Sequence, residues 1–158
     1  MKRHESIVPL SRDHHHGLLC CWKIRQGIKK DIAAERIGAY IRYFWNLHLK
    51  THFEEEEQLL FLVQDPLCAQ AVAEHRMLSA LEETIAANPA TGDLEAFAGL
   101  LDRHIRFEER VLFPHLERTL PAEKLAAIGA VLQAAHTTPV QDDYADSFWL
   151  NTNEERQR

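Results

Sequence analysis

The chain is short of the features that would take it out of the ordinary globular class. Three cysteines in 158 residues make no disulfide framework, and the adjacent Cys20 and Cys21 cannot readily bridge each other inside a helix. Together with Cys68 they are expected to be reduced, buried thiols. Positive charge is also in deficit, with 18 Lys and Arg against 24 Asp and Glu, a net charge of -6 and a pI near 5.9. That balance excludes the basic stripe that a nucleic acid or an anionic membrane surface would require. The apolar stretch Ile7-Val8-Pro9-Leu10 is too short for the core of a signal peptide, and no run approaches a membrane span, so a cytoplasmic protein is expected. No phosphate-cradling glycine loop, Ser-His-Asp or Cys-His arrangement is visible, and no window alternates long enough for a strand.

What remains is helical periodicity, enough for one domain over residues 1–158. Leu10, Leu18, Cys21, Ile24 and Ile28 recur at helical spacing and predict a first helix from about Pro9 to Lys30, with His14 and Gly17 on the same stripe. Asp31 is a candidate N-cap for a second helix. Its stripe runs Ile37, Ile41, Phe44, Trp45, His48, His52, Glu56, Leu59, Val63, as far as Asp65-Pro66. Asp65 as N-cap and Pro66 at the first helical position open a third, carrying Leu67, Ala71, His75, Leu78, Leu81 and Ile85 and ending at Asn88-Pro89. After the turn Ala90-Thr91-Gly92-Asp93, Asp93 is placed to cap a fourth with Phe97, Leu101, His104, Glu108, Val111 and Leu112. Pro114 and Pro121 are expected to break the pattern. The fold predicted is all-α, an up-down-up-down four-helix bundle over about 9–118 with a short fifth helix over about 121–135. In the tail 136–158, Tyr144 and Phe148-Trp149-Leu150 are too apolar for a solvated end and should pack on the bundle or on a second subunit, making a homodimer.

Inside these helices one pattern occurs twice. His52-Phe-Glu-Glu-Glu56-Glu57 is matched by His104-Ile-Arg-Phe-Glu108-Glu109, and each copy is preceded by an acid-His pair, Asp13-His14 and Glu74-His75. Residues four apart share one helix face, so each copy aims an imidazole and a carboxylate at one spot. Such donors suit ferrous iron, manganese or zinc, and a carboxylate can span two ions through its two oxygens. Two neighbouring buried carboxylates without a cation would be costly. The alternative roles are plain ones. A histidine on an apolar stripe is ordinarily a hydrogen-bonded core residue, and the run Glu54 to Glu57 is ordinarily a solvated face; but four such histidines fall on four successive helices, two with a carboxylate one turn on. Glu57 and Glu109, matched in the repeat, are expected at the surface or supporting the ligands. His14 is a better ligand than His15, which starts a stripe of Arg25, Gln26 and Lys29; His16 lies about 200° around the helix from His14, and His115 and His136 are expected to be structural or exposed. Glu-x-x-His, the ferritin-like signature, is absent.

From Leu10 to about His136, these pairs, with Leu112-Phe113-Pro114 after the second copy, resemble the hemerythrin-like proteins of the HHE cation-binding class. The resemblance implies a non-haem di-iron centre in which Glu56 and Glu108 bridge, His14 and His52 complete one iron, and His75 and His104 the other. The family's further histidine, one turn from the third-helix ligand, has no counterpart, since Ala71 and Ser79 stand there. Water, or His48 one turn before His52, is the candidate replacement. The functions open to such a centre are binding or sensing oxygen, handling iron, or redox turnover of peroxide or nitric oxide, and a metal-free interaction module is the contrasting alternative. The lack of a second chemical motif favours binding over turnover.

Overall fold

The computed structural model describes residues 2–61 and 64–150. All its regular structure is helical: α1 (Val8–Lys29), α2 (Ala34–Phe44), α3 (Lys50–Glu55), α4 (Pro66–Ala87), α5 (Thr91–Phe107), α6 (Phe113–Thr119) and α7 (Ala122–Ala135). Among the described residues there is no strand, and no helix is long and apolar enough to cross a membrane. α2 and α3 form one long helix, because the intervening Trp45–Leu49 is a wide π turn, and a second π turn, Glu56–Leu60, follows α3. A third, Glu108–Leu112, joins α5 to α6 in the same way.

Two apolar clusters fill the bundle. One gathers Cys20, Ile24, Ile41, Phe44, Leu78 and Leu101, the other Leu10, Leu60, Ala71, Leu112, Phe113 and Leu132. On each of the four long helical stretches a polar layer falls between them: Leu10, His14, Cys20 on α1; Phe44, His52, Leu60 on the second; Ala71, His75, Leu78 on α4; Leu101, Glu108, Leu112 on the fourth. Along α1 and α4 the chain passes from the second cluster to the first, and along the other two it returns. α5 packs against both α1 and α4, and α2 against α1 and α4.

Several boundaries differ from the sequence expectation for identifiable reasons. Asp31 does not cap α2. It has φ 56° and ends α1, with its N–H donating to the Ile28 carbonyl and that of Ile32 to the Gly27 carbonyl, the paired bonds of a Schellman turn. Asp tolerates this left-handed conformation better than most side chains. α2 starts after Ala33 without a side-chain cap. Likewise Asp93 lies within the first turn of α5, whose N-cap is Ala90, so 91–93 are helical rather than a loop; its charge still suits the positive end of the helix. Asp65 does cap α4, accepting from the Leu67 N–H at 2.8 Å. Pro114 does not break its helix, because it follows the wide turn 108–112 and enters α6 in the first two positions, where its missing N–H costs little.

The π turns also shift the apolar stripe by one residue. Leu60 is buried where Leu59 was expected, and Leu112 and Phe113 are buried while Val111 is exposed. Val63 lies outside the described residues. The tail packs on its own bundle: Phe148, Trp149 and Tyr144 meet the Tyr40 ring at 5.8, 5.5 and 5.3 Å. Buried Lys23 reaches Asp142 at 3.0 Å and lies over Trp149.

Candidate metal centre

The polar layer is the centre of the site. His14 from α1, His52 from α3, Glu56 and Glu108 from the starts of two π turns, His75 from α4 and His104 from α5 are all buried. They converge as two overlapping groups, His14, His52, Glu56, Glu108 and Glu56, His75, His104, Glu108, with the donor atoms of each within 4.8 Å of one another. Both groups contain both glutamates. Glu56 Oε1 lies 3.2 Å from His52 Nε2 and 3.3 Å from His75 Nε2; Glu108 Oε1 lies 3.4 Å from His14 Nε2 and 2.8 Å from His104 Nε2. Each carboxylate therefore touches one imidazole from each group.

These approaches do not satisfy the atoms. Among the described residues, the buried side-chain nitrogens and oxygens without a hydrogen-bond partner are the four Nε2 atoms, all four glutamate oxygens, and Arg3 Nε. Buried polar atoms are ordinarily paired, and leaving one unpaired costs about 1–3 kcal/mol. Eight in one layer is the donor set that a cation site requires. Metal–ligand bonds of about 2.1 Å imply donor separations of about 3–4 Å, close to the 2.8–3.4 Å seen here.

The opposite edge of every imidazole is occupied. Nδ1 faces Glu109 at 2.6 Å for His14, Asp13 at 2.9 Å for His52, Glu57 at 2.8 Å for His75 and Glu74 at 2.7 Å for His104. A carboxylate there fixes the proton on Nδ1, turns Nε2 inward and makes it more basic. Asp13 and Glu74 each serve a histidine on another helix instead of their chain neighbour, which sequence spacing alone could not reveal. Exchanging the two halves of the chain maps Asp13–His52 onto Glu74–His104 and Glu57–His75 onto Glu109–His14, so the supporting pairs repeat along with the ligands.

The electrostatics describe a metal-free layer balanced by protons. Burial, reinforced by Glu108 beside it, pushes the Glu56 carboxyl well above the usual carboxylate range. Burial opposes ionisation of Glu108 too and is the largest single influence, but the His104 charge together with polar contacts from Glu56, His104 and His14 outweighs it and holds Glu108 well below that range. His104 is correspondingly pushed up to about 10, against its own burial, chiefly by the charge of Glu108. Burial, helped by the nearby His104 charge, lowers His75 to about 4. Protons thus stand where a metal's charge would, and a metal must displace them.

The other histidines lie outside the two groups. His15 is exposed on α1. His115 faces Asp65 at 2.6 Å and His136 faces Glu55 at 2.8 Å, both structural pairings. His48 is buried beside Asp13 and His52, with burial lowering it to about 4. A cavity of about 10 Å³ adjoins the layer, with Gly17, Leu49, Leu101, Ile105 and His48 among its walls and His14, His52, His104 and Glu108 at its floor. It has room for a single water-sized group.

A model of the hemerythrin HHE cation binding domain matches residues 10–116. No curated protein and no solved structure matches the chain significantly. The match covers the four long helical stretches and every residue of the polar layer, and the protein belongs to the hemerythrin HHE cation-binding family.

Proposed function

We propose that this chain is a single antiparallel up-down-up-down four-helix domain, with α7 and the tail packed on it, that holds a dinuclear non-haem iron centre and binds a small diatomic molecule, oxygen foremost, at that centre. The observation that carries the reading is the set of eight unpaired donor atoms in one layer, divided into two groups that share Glu56 and Glu108. His14 and His52 would complete one ion and His75 and His104 the other, with Glu56 and Glu108 common to both. Zinc or manganese fits the same donors, and zinc competes by its higher affinity among divalent ions. Bound there, iron supplies a redox-active Lewis acid able to take a diatomic ligand.

The residues around the ligands define what that ligand can be. Asp13, Glu57, Glu74 and Glu109 hold the imidazoles in one tautomer and orientation. Phe53 stacks on His75 at 4.0 Å and Phe113 on His14 at 5.4 Å, excluding water from two ligands. The adjoining 10 Å³ leaves room only for a very small ligand and is too small for an organic substrate. Beyond the ligands and their partner Asp13, its titratable wall is His48 alone, which gives little for stepwise proton transfer. Binding or sensing is therefore favoured over redox turnover of peroxide or nitric oxide. Protein reconstituted anaerobically with ferrous iron should change its visible absorption on exposure to oxygen and recover when oxygen is removed. Sustained consumption of peroxide or nitric oxide would favour the enzyme, and purified protein that takes up no metal would favour an interaction module.

A further inference from the structure

Among the described residues, the small cavity at the centre shares wall residues with larger clefts, two of which bear on access to it. One, of about 290 Å³, opens between the α1 and α3 faces and the segment after α7, beside His136. The other, of about 570 Å³, lies between the α2–α3 helix and α4 and reaches His75. The walls they share with the inner cavity differ. The first cleft and the cavity have Asp13, His48 and His52 in common; the second cleft and the cavity have only Phe53 in common.

We propose that small ligands reach the centre from one side only, through the cleft beside His136, and that the His48 side chain is the gate between that cleft and the cavity. This rests on the dinuclear-centre reading above. Of the three shared wall residues, Asp13 and His52 are fixed by their mutual 2.9 Å hydrogen bond, and the inner nitrogen of His52 belongs to the ligand layer. His48 is held differently. Its ring makes ring contacts, at 5.4 Å to Phe44, 5.9 Å to His16 and 5.7 Å to His52. It also sits in the π turn Trp45–Leu49, and the 290 Å³ outside offers space for the displaced imidazole. At the second cleft, Phe53 is buried, stacked on His75 with the rings 16° from parallel, and braced by Trp45 at 5.8 Å. Opening there would break the packing that shields a ligand.

A gate alters the height of a barrier and leaves the end states alone, so its variants should move association and dissociation rates together. The test is stopped-flow binding of azide to iron-loaded protein, with metal content measured first on every sample. In His48→Ala both rates should rise, roughly tenfold, moving in the same direction whatever the loss of a cavity wall does to the dissociation constant; in His48→Trp both should fall. Ser79→Trp, narrowing the cleft on the His75 side, should leave both rates as in the wild type. Unchanged rates in fully loaded His48→Ala and His48→Trp would overturn the gate, as would slowing in Ser79→Trp. Loss of metal from His48→Ala and from the bulk-preserving His48→Leu would instead make His48 a ligand and overturn it too. Wild-type protein without metal would overturn the centre itself, which the metal analysis reveals before any azide is added.

Discussion

Matched in register, the His14 side and the His75 side of the centre correspond ligand for ligand, His14 with His75, His52 with His104 and Glu56 with Glu108. Their supporting acids correspond as well, and each glutamate begins a π turn. The surroundings do not correspond. Gly17 occupies the place that Leu78 holds on the other side, Ile105 that of Phe53, and His48 that of Leu100. Where the small residues are, against His14, there is a cavity; where Phe53 is, its ring lies flat on His75. At Gly17 a Cβ would come within 2.7 Å of Ile105 Cδ1, so even alanine there would push Ile105 from its place. Two nearly equal half-sites thus meet one cavity unequally, which touches His14 and His52 of one group but, apart from the shared Glu108, only His104 of the other. The remaining π turn, Trp45–Leu49, has no partner in the second half and is the one that carries His48.

The sharpest way to break the correspondence is to remove what both halves share. Glu56→Ala and Glu108→Ala should each reduce metal content from about two ions per chain to one or none, because a bridging carboxylate serves both ions. Full occupancy in either variant, read by elemental analysis, would show that the bridges lie elsewhere.

Without metal, neighbouring histidines of the centre should respond to pH in opposite directions, even within one side. His75 and His48, buried and lowered to about 4 in the folded chain, bind a proton more readily once unfolded; their stability contribution is complete above about pH 6.5 and is lost as pH falls toward 4. His104, pushed up to about 10, contributes below about pH 6.5 and loses that contribution as pH rises toward 10. Denaturant unfolding of the chelated protein should therefore show a maximum near neutrality and losses on the order of a few kcal/mol toward both extremes. A stability that keeps rising from pH 6.5 to 10 would contradict the His104–Glu108 pairing.

The supporting acids test whether the halves are equivalent. Asp13→Asn and Glu74→Gln should each weaken metal binding by about 10–100-fold, the first for the ion at His52 and the second for the ion at His104. Isothermal titration with ferrous iron should then show one strong and one weak step, where the wild type shows two of similar strength.

Ile105→Phe makes the His14 side resemble the His75 side. It should keep its metal while losing about tenfold in azide affinity, since extra bulk in a packed wall typically costs about 1–3 kcal/mol. Undiminished azide binding would mean that the ligand sits outside the 10 Å³ cavity.

The helices and the convergence of the six residues were legible in the sequence, because a histidine with a glutamate one turn on is a local pattern and appears twice. The order Asp65-Pro66 announced a helix start in the same local way. What escaped is tertiary or subtle. Asp31 and Asp93 have the chemistry of caps, but one closes the preceding helix with a positive φ and the other already lies inside its helix. A π turn leaves no mark on composition; its trace is the one-residue slip that buries Leu60 instead of Leu59 and exposes Val111. The pairing of Asp13 with His52, across 39 residues, depends on how α1 meets α3, and no spacing rule encodes that.

Anaerobic titration of the metal-free protein with ferrous iron, followed by thermal melting at each addition, goes to the centre of the matter. A dinuclear site predicts that uptake ends at about two ions per chain, and that the melting temperature climbs until that point, because metal bound only to the folded state adds on the order of several kcal/mol. Saturation at a single ion, or melting that ignores added iron, would contradict it.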